Sequence, residues 1–434
     1  MTTVATLPSV SAIDSESLPR HRWYFFKEAF SPEVVQHAAT DAGLELGDTI
    51  YDPFSGSGTT ALTAASDGYV GKGAEVNPFL RFVAQTKVSK GHPERFSDAV
   101  EECLDAAKTG ADCWLEEFST FSSKAEKAKA RGKWLFNGSV LKTFQGTWDH
   151  TKKLPKSEKA LVRLCLIGGA MDAANAEKDG KCLRYKRNWK ALRLGKDDFV
   201  DAVRARSKLV AEDLEVTSAT PLNANIELGD SRRIAIDGSF DLCVTSPPYL
   251  NSFDYTDVYR PELFLGGFVS NMKQLRDLRQ ATLRSHVQAS WKDPVQADFG
   301  KTYSDAIARL NEKVASLDAN DAGLWDKRIP MMAQAYFEDM STVLKSLRRK
   351  AKAGASLWLV VSTSAYAGVE LPVDLIIADI GASNGWLLRD VHVLRHLRRV
   401  SCQQWNELRD RPDASGPHLR ESLVVFDAAP RKRK

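Results

Sequence analysis

Two short segments rich in glycine and proline each follow an apolar run, and this pattern constrains the fold more than any other feature. Asp52 to Thr60 follows the run Thr49 to Tyr51. Thr245 to Tyr249 follows the run Phe240 to Val244, far downstream. Short apolar runs bounded by turn residues predict strands. Because ligands of α/β proteins bind beside the carboxyl ends of parallel strands, we expect the two segments to line one site.

Strands and helices alternate around these segments, which predicts an α/β protein with a mostly parallel sheet. The predicted strands are Thr49 to Tyr51, Val70 to Glu75, Ala224 to Leu228, Phe240 to Thr245, Ser356 to Thr363, Leu387 to Leu394 and Ser422 to Asp427. The predicted helices are Thr59 to Ser66, Pro78 to Lys87, Met331 to Lys350 and Leu371 to Asn384. We therefore expect a central seven-stranded sheet built from both halves of the chain.

Two long stretches without predicted strands interrupt this core. Residues 92–223 contain charged helical segments, and residues 256–330 interrupt the pattern again. Both stretches are longer than ordinary loops, so we expect them to be insertions, the first mainly helical. Residues 1–20 are expected to form a flexible N-terminal tail, and residues 428–434 a basic tail.

Composition limits the class of protein without identifying it. The formal net charge of +4, from 60 basic and 56 acidic residues, is too small to indicate a nucleic-acid partner by itself. The six cysteines form no Cys-x-x-Cys pair, so we expect neither a metal site nor a disulfide framework. The N-terminus lacks a signal pattern and no apolar run is long enough to span a bilayer. We therefore expect a cytoplasmic protein with no membrane association.

The first segment has the pattern of a cofactor loop. Gly56 and Gly58 lie between a predicted strand and a predicted helix, where backbone amides can approach a ligand closely. A dinucleotide-binding fingerprint is the alternative, but Ala61 occupies the position of its third glycine. Glu75 ends the second predicted strand, and an acid at this place can accept hydrogen bonds from both hydroxyls of a ribose.

The strings Asp-Pro-Phe-Ser-Gly-Ser-Gly-Thr, from Asp52 to Thr59, and Thr-Ser-Pro-Pro-Tyr, from Thr245 to Tyr249, together carry a family resemblance. They resemble the amino-group class of DNA methyltransferases, which use S-adenosylmethionine to methylate cytosine at N4 or adenine at N6. The resemblance implies a Rossmann-like methyltransferase fold. The residues that it implies for cofactor binding are Asp52, Pro53, Phe54, Gly56, Gly58, Thr59, Glu75, Asn77 and Asp230.

Asp230 has two interpretations. It ends the third predicted strand and is similar to a family carboxylate that accepts a hydrogen bond from the adenine amine of the cofactor. It can equally cap a turn. The segment Arg20 to Pro32 resembles the stretch that precedes the glycine loop in these enzymes and covers the cofactor, although its aromatic residues can also be ordinary core.

The resemblance assigns a role to each part of the chain. Residues 21–91 are expected to be the cofactor-binding half of the core, 224–255 the catalytic segment and 331–427 the remainder of the core. Recognition of the target then falls to the insertions 92–223 and 256–330, since almost nothing follows the last predicted strand.

The second segment suits the methylation of an aryl amine, whose lone pair is delocalised into the ring. Ser246 and the carbonyl of Pro247 can accept the two amine hydrogens and localise this lone pair, while Pro248 stiffens the loop. Tyr249 offers an aromatic face to a flipped base, and such stacking contributes roughly 1–3 kcal/mol. We expect direct in-line transfer, for which positioning matters more than a strong general base. These four residues are the predicted catalytic residues.

The residue before the prolines bears on the target base. Serine is the usual form in cytosine N4 enzymes, so the resemblance favours a site-specific methyltransferase that makes N4-methylcytosine in duplex DNA. An adenine N6 enzyme, an RNA base methyltransferase and a non-catalytic DNA-binding subunit are the alternatives. The expected setting is restriction-modification, with a possible cognate restriction endonuclease as partner, or orphan DNA modification.

Three clusters of basic residues are candidate DNA contacts. Lys181 to Lys196 contains seven basic residues with Tyr185 and Trp189, a composition typical of phosphate and base contact, although a solvated basic turn has the same composition. The second cluster comprises Arg276, Arg279, Arg284, His286 and Lys292. The third comprises Arg395, Arg398 and Arg399.

Overall fold

The structure, a computed structural model, describes most of the chain. The described residues are 11–107, 110–179, 182–217, 222–233, 237–289, 294, 297–316, 326–397 and 419–429. Some of the basic residues singled out above lie outside them, namely Lys181, Lys292, Arg398, Arg399 and residues 430–434. Within the described part, no helix is long and apolar enough to cross a membrane.

The described elements alternate as the sequence predicts. The strands are β1 (Thr49–Asp52), β2 (Val70–Glu75), β3 (Ala176–Asp179), β4 (Cys182–Tyr185), β5 (Ala224–Leu228), β6 (Phe240–Thr245), β7 (Ala351–Ser362), β8 (Ser364–Tyr366), β9 (Val369–Leu371), β10 (Trp386–His396) and β11 (Arg420–Ala428). The helices are α1 (Pro32–Asp41), α2 (Thr59–Ser66), α3 (Pro78–Lys87), α4 (Pro93–Ala106), α5 (Glu126–Arg131), α6 (Gly138–His150), α7 (Lys156–Asp172), α8 (Trp189–Leu192), α9 (Lys196–Val216), α10 (Tyr255–Val258), α11 (Arg260–Leu265), α12 (Met272–Ala281), α13 (Lys301–Ala315), α14 (Ile329–Lys350) and α15 (Val373–Ser383).

One seven-stranded sheet forms the core, in the order β10-β11-β7-β6-β1-β2-β5. β11 is antiparallel to both of its neighbours, and the pairs among β7, β6, β1, β2 and β5 are all parallel. These are the seven strands predicted from the sequence, and the sheet confirms the predicted Rossmann-like methyltransferase fold. From β1 the chain fills one side of the sheet with β2 and β5 and then returns to place β6 on the other side, so the strand order reverses between β1 and β6.

Different helices cover the two faces of the sheet because side chains alternate along each strand. In β7, Trp358 and Val360 pack in a cluster with residues of α1 and α2. Leu357 and Leu359 of the same strand pack in a second cluster with residues of α13, α14 and α15. The sheet is therefore buried on both faces, as its near-continuous apolar strands predict.

The insertion between β2 and β5 packs directly onto the core. A third hydrophobic cluster joins Phe79 and Val83 of α3 to Leu161 of α7 and Phe199 of α9. The expectation that this stretch contains no strand is wrong, since β3 and β4 form an antiparallel hairpin. Its strands lack apolar alternation, because charged residues occupy positions such as Lys178, and so carry no strand signal.

The segment before α1 holds the insertion to the core. Residues 11–20, expected to be part of a flexible tail, instead begin with a 3-10 helix and end on Arg20, which is 2% exposed. The guanidinium of Arg20 donates to the carbonyls of Lys87 and Ser89 at 2.8 and 2.9 Å. A sequence signal for this packing is lacking because both acceptors are backbone groups at the end of α3.

Asp213 of α9 completes this junction. Its side chain is 1% exposed and accepts hydrogen bonds from the Arg20 amide at 2.8 Å and from the Trp23 indole at 2.8 Å. The guanidinium of Arg22 binds the same carboxylate, with Nη2 2.6 Å from Oδ1. One buried carboxylate therefore fixes the start of the 20–30 segment against the insertion.

We predict that Asp213→Ala lowers the free energy of unfolding by about 3–5 kcal/mol, because it leaves the buried Trp23 indole and Arg20 amide without their acceptor and removes the partner of the Arg22 guanidinium. Urea unfolding followed by circular dichroism measures this loss. Asp213→Asn keeps one acceptor oxygen and should lose less. Asp201→Ala, at an exposed position of the same helix, should change stability by no more than about 0.5 kcal/mol. Equal losses for the Asp213 and Asp201 variants would contradict the role given to Asp213.

Candidate active site

A cavity opens at the point where the strand order reverses, beside the carboxyl ends of β1 and β6. Its volume is about 370 Å³. Ligands of open α/β sheets bind in the crevice at such a switch point. The segments that follow β1 and β6 both line this cavity, as expected from the sequence.

Nearly all of the predicted site residues meet at this cavity. Those that line it are Asp52, Pro53, Phe54, Gly56, Thr59, Glu75, Asn77, Ser246, Pro247, Pro248 and Tyr249. Gly58 and Asp230 do not line it, although Gly229 and Ser231 on either side of Asp230 do. The assignment of cofactor and catalytic roles within this set stays a prediction.

The side chain of Asp52 links the segment after β1 to the segment after β6. Its Oδ1 accepts a hydrogen bond from the Thr245 hydroxyl at 2.5 Å and from the Phe54 amide at 2.9 Å. Its Oδ2 accepts from the Thr60 hydroxyl at 2.9 Å. Burial raises the pKa of Asp52 to about 6, and these three donors oppose that shift. The carboxylate thus holds the end of β6 and the start of α2 at fixed distances from β1.

Glycine is favoured at positions 56 and 58 for different structural reasons. Both have positive φ, 51° at Gly56 and 89° at Gly58, a region that favours glycine. A Cβ atom at Gly58 would lie 2.8 Å from the Cβ of Ala84 in α3, so this position requires glycine for packing. A Cβ atom at Gly56 would lie 2.9 Å from the ring of Phe26 in the cavity wall.

Glu75 and Asn77 form the polar wall opposite the loop. Glu75 is 8% exposed, and its carboxylate accepts from the amides of Gly56 and Asn77, both at 2.8 Å. Burial raises the pKa of Glu75 to about 7. The Asn77 Oδ1 caps α3 by accepting from the amide of Phe79 at 3.0 Å. Its Nδ2 is buried and has no partner among the described residues, so a donor is left for a ligand.

Asp230 is engaged by a neighbouring cation. The guanidinium of Arg232 contacts both of its carboxylate oxygens, with distances from 2.7 to 3.1 Å. Arg232 Nη1 also donates to Asp339 at 2.9 Å. A direct contact between Asp230 and a cofactor amine stays a prediction, and it requires this ion pair to rearrange.

The Ser-Pro-Pro-Tyr segment faces the last two strands of the sheet. The Tyr249 hydroxyl donates to Glu421 at 2.6 Å. Burial and the neighbouring negative charge of Glu421 hold the pKa of Tyr249 well above its ordinary value, so the residue is a neutral phenol. Glu421 and Arg395 also line the cavity. Arg395 was predicted only as a candidate DNA contact in a basic cluster, and no local motif marks Glu421.

Two further groups of cavity residues come from outside the motifs. Phe25 to Phe30 line one wall, which places the segment before the glycine loop at the cavity. Glu28 in this wall accepts from the Tyr259 hydroxyl at 2.9 Å, and burial raises the pKa of Glu28. The second insertion contributes Thr282, Leu283, Ser285 and His286. Its loop composition carries no signal that would predict these contacts.

Two arginines of the second insertion, Arg279 and Arg284, are engaged in internal ion pairs. Arg279 Nε lies 2.7 Å from Asp254, and Arg284 Nη2 lies 2.7 Å from Asp339, with both side chains largely buried. Arg276 is exposed and His286 is buried. Two of the five residues in the predicted cluster therefore form internal ion pairs, while Arg276 stays exposed.

The chain is similar along most of its length to several type II methyltransferases. It is 27% identical to type II methyltransferase M.BsoBI of Geobacillus stearothermophilus, over 97% of this chain and 87% of the relative. It is 25% identical to M.AvaI of Nostoc sp., over 91% and 85% of the two chains. It is 22% identical to M.MvaI of Kocuria varians, over 83% and 80%. The chain is related to type II methyltransferases.

The extent of this relationship is informative. Because 97% of the chain aligns with M.BsoBI, the similarity includes both insertions as well as the sheet. No family model matches the chain.

Solved structures resemble the chain more weakly. A SAM-dependent methyltransferase of Methanosarcina mazei is 10% identical with a TM-score of 0.30, over 89% of this chain and 95% of the other. TrmN of Thermus thermophilus is 9% identical with a TM-score of 0.29, over 92% and 48%. Likeness at this level has no bearing on the reaction.

Proposed function

We propose that the chain is a site-specific DNA methyltransferase that transfers a methyl group from S-adenosylmethionine to N4 of a cytosine flipped out of duplex DNA. One observation carries the proposal: the predicted cofactor loop and the Ser-Pro-Pro-Tyr segment line one cavity. The relationship to type II methyltransferases over nearly the whole chain supports it. Serine at position 246 supports cytosine N4 over adenine N6.

The polar wall of the cavity fits S-adenosylmethionine. Glu75 can accept hydrogen bonds from ribose hydroxyls with the lone pairs that its two amide contacts leave available. The buried Asn77 Nδ2 supplies a donor that the described protein does not use. Positive φ at Gly56 keeps the loop backbone close to the cavity. When bound, S-adenosylmethionine supplies an electrophilic methyl group on a positively charged sulfur.

The Ser-Pro-Pro-Tyr segment orients the target amine. Ser246 and the carbonyl of Pro247 accept the two hydrogens of the amine and favour a localised nitrogen lone pair. Tyr249 presents its ring to the base. Transfer then depends on holding the amine in line with the methyl group, which lowers the barrier through orientation.

The β3–β4 hairpin and the turn after it form the surface that we assign to DNA phosphates. Lys178 of β3 anchors the hairpin close to the cavity: it donates to the Tyr24 hydroxyl at 2.6 Å, pairs with Glu262 and lies 3.8 Å from the ring centroid of Tyr259. Tyr259 in turn binds Glu28 of the cavity wall. DNA that places a base in the cavity therefore passes near this hairpin.

Charge and aromatic residues on this surface suit a nucleic acid. Arg187, Lys190 and Arg193 are exposed, and no carboxylate of a described residue pairs with them. Trp189 packs edge-on against Trp134 with ring centroids 4.7 Å apart, below Lys190. Cations without local partners can neutralise phosphates and release counterions.

The first test is to express the chain in cells that lack DNA methylation, then sequence their DNA for modified positions and identify the mark by nucleoside mass spectrometry. The proposal expects N4-methylcytosine in one sequence context. N6-methyladenine would keep the enzyme and overturn the base assignment. No mark on DNA would overturn the DNA substrate.

We predict that Ser246→Ala lowers kcat by about 100-fold or more, because one preorganised hydrogen-bond partner of the amine is removed. The affinity for S-adenosylmethionine should stay near the wild-type value in isothermal titration calorimetry. Ser97→Ala, at an exposed position of α4, serves as the control and should keep full activity. Wild-type turnover by Ser246→Ala would remove this hydroxyl from the mechanism.

We predict that S-adenosylmethionine binds more tightly as the pH rises through 7, because the ribose contact requires the ionised form of Glu75. Burial raises the pKa of this carboxyl to about 7, so the ionised fraction grows from about one-eleventh at pH 6 to ten-elevenths at pH 8. The dissociation constant should fall about tenfold over this range. Since the cofactor also titrates, the comparison is with Glu75→Gln, which should bind weakly and with less pH dependence. Glu227→Gln on β5 is the charge-matched control. Equal pH dependence in Glu75→Gln and the wild type would contradict the assignment.

We predict that the triple variant Arg187→Gln/Lys190→Gln/Arg193→Gln raises KM for DNA and leaves the affinity for S-adenosylmethionine unchanged. Because this variant cannot neutralise three of the phosphates, the slope of log affinity against log salt should fall in magnitude by about 2.7. The control Lys152→Gln/Lys153→Gln/Lys156→Gln removes the same charge at the other end of α7, about 25 Å away along the helix. Equal effects of the two triple variants would show that only net charge matters.

A further inference from the structure

A cross-strand ion pair reaches the cavity from the antiparallel edge of the sheet. Arg395 of β10 stands opposite Glu421 of β11 in the strand register. Arg395 Nε donates to Glu421 Oε2 at 2.6 Å, while the Tyr249 hydroxyl donates to Glu421 Oε1, also at 2.6 Å. All three residues line the cavity.

We propose that Glu421 and Arg395 belong to the target-nucleotide site. Glu421 fixes the orientation of the Tyr249 ring that receives the base, and Arg395 binds a backbone phosphate next to the flipped nucleotide. This inference rests on the proposed DNA methyltransferase function. It adds Glu421, which lies outside every motif of the sequence, and it gives Arg395 of the third basic cluster a specific place and partner.

The burial of Glu421 supports its positioning role. The residue is 5% exposed, and each carboxylate oxygen has its own donor. Hydrogen bonds to a charged acceptor are short and directional, so Glu421 allows the phenol little freedom. The phenol oxygen lies on the long axis of the ring, so this hydrogen bond fixes the direction of that axis. Because the O–H bond of a phenol prefers the ring plane, the same hydrogen bond also favours one orientation of the plane. Stacking on a flipped base requires that plane to be set before the base arrives.

The exposure of Arg395 supports a phosphate contact. Its side chain is 52% exposed although its Nε is bound to a buried carboxylate. A guanidinium has five N–H donors, and within the described ranges only Glu421 accepts one from Arg395. The remaining donors belong to the planar Arg395 guanidinium, whose position at the cavity is fixed by Glu421. This geometry suits a phosphate.

The backbone supplies a reason why this arginine points at the cavity. The pairing of β10 with β11 shifts register between Val393 and Arg395, so that Leu394 has no partner across the ladder. A bulge of this kind bends the strand and redirects the next side chain, and bulges are common beside active sites. Arg389, earlier on the same strand, instead pairs with Asp41 at 2.8 Å and does not line the cavity.

The test compares Arg395→Gln with Arg389→Gln, which removes the same charge from the same strand. Steady-state kinetics on duplex DNA should show a raised KM for Arg395→Gln, and a salt slope reduced in magnitude by about 0.9, as expected when one phosphate is no longer neutralised. Affinity for S-adenosylmethionine should stay unchanged. Arg395→Lys should recover part of the KM, and Arg389→Gln should match the wild type. A wild-type KM and salt slope for Arg395→Gln would overturn the phosphate contact.

The positioning role is tested by a double-mutant cycle of Tyr249→Phe and Glu421→Gln. Each single variant should lower kcat by about 10- to 100-fold, the range of one charged hydrogen bond, and the double variant should be no worse than the worse single variant. A duplex with 2-aminopurine at the target position should show reduced fluorescence gain on binding to either variant. Additive losses would overturn the positioning role. If Glu421→Gln does not fold, the fluorescence comparison can still be made with Tyr249→Phe and Arg395→Gln. A wild-type fluorescence gain in Tyr249→Phe would then overturn the positioning role.

Two different results would contradict the roles of Arg395 and Glu421 and the proposed DNA methyltransferase function. The wild-type chain must first methylate DNA in the sequencing experiment. If it does, wild-type behaviour of the Arg395 and Glu421 variants overturns only this inference. If it does not, the DNA substrate itself is wrong.

Discussion

A buried carboxylate, that of Asp52, joins the two strand ends on which the rest of the site depends. Burying a carboxylate without a cation is costly, and this cost is seen in its pKa, raised to about 6. Three donors from different parts of the chain, Thr245, Thr60 and the Phe54 amide, offset it. As a result, the glycine loop after β1 and the Ser-Pro-Pro-Tyr segment after β6 are held together by one side chain. The spacing between the two candidate subsites therefore follows from the pairing of β1 with β6.

Much of the core could be predicted from the sequence because its signals are local. The helices α2 and α3 and the strands β2 and β6 have the predicted bounds, since glycine, proline and apolar runs mark both of their ends. The β3–β4 hairpin could not be predicted, because its charged strands are specified by contacts such as that of Lys178 with Tyr259. Tertiary contact there overrides a composition that is unfavourable for strands.

The residues of the candidate site also divide into those that could be predicted from the sequence and those that could not. Its motif residues are consecutive within two segments, and the pairing of β1 with β6 brings these segments to one cavity. Glu421 lies 172 residues from the tyrosine it binds, and only the order of the last strands brings them together. Asp230 shows a different limit. Its position just after a strand was predicted, but the sequence does not show that Arg232, two residues later, binds its carboxylate.

The two insertions differ in what their charges do. In the second, Arg279 and Arg284 are neutralised by Asp254 and Asp339, so their charge is satisfied inside the protein and the cavity wall gains rigidity. In the first, the segment after β4 has three exposed cations, Arg187, Lys190 and Arg193, and no carboxylate of a described residue pairs with them. A count of basic residues in the sequence cannot distinguish paired from unpaired cations, because pairing depends on which carboxylates lie close to each cation in the fold. Burial and pairing, rather than cluster size, are therefore the reason why we propose the segment after β4 as a surface that binds DNA phosphates.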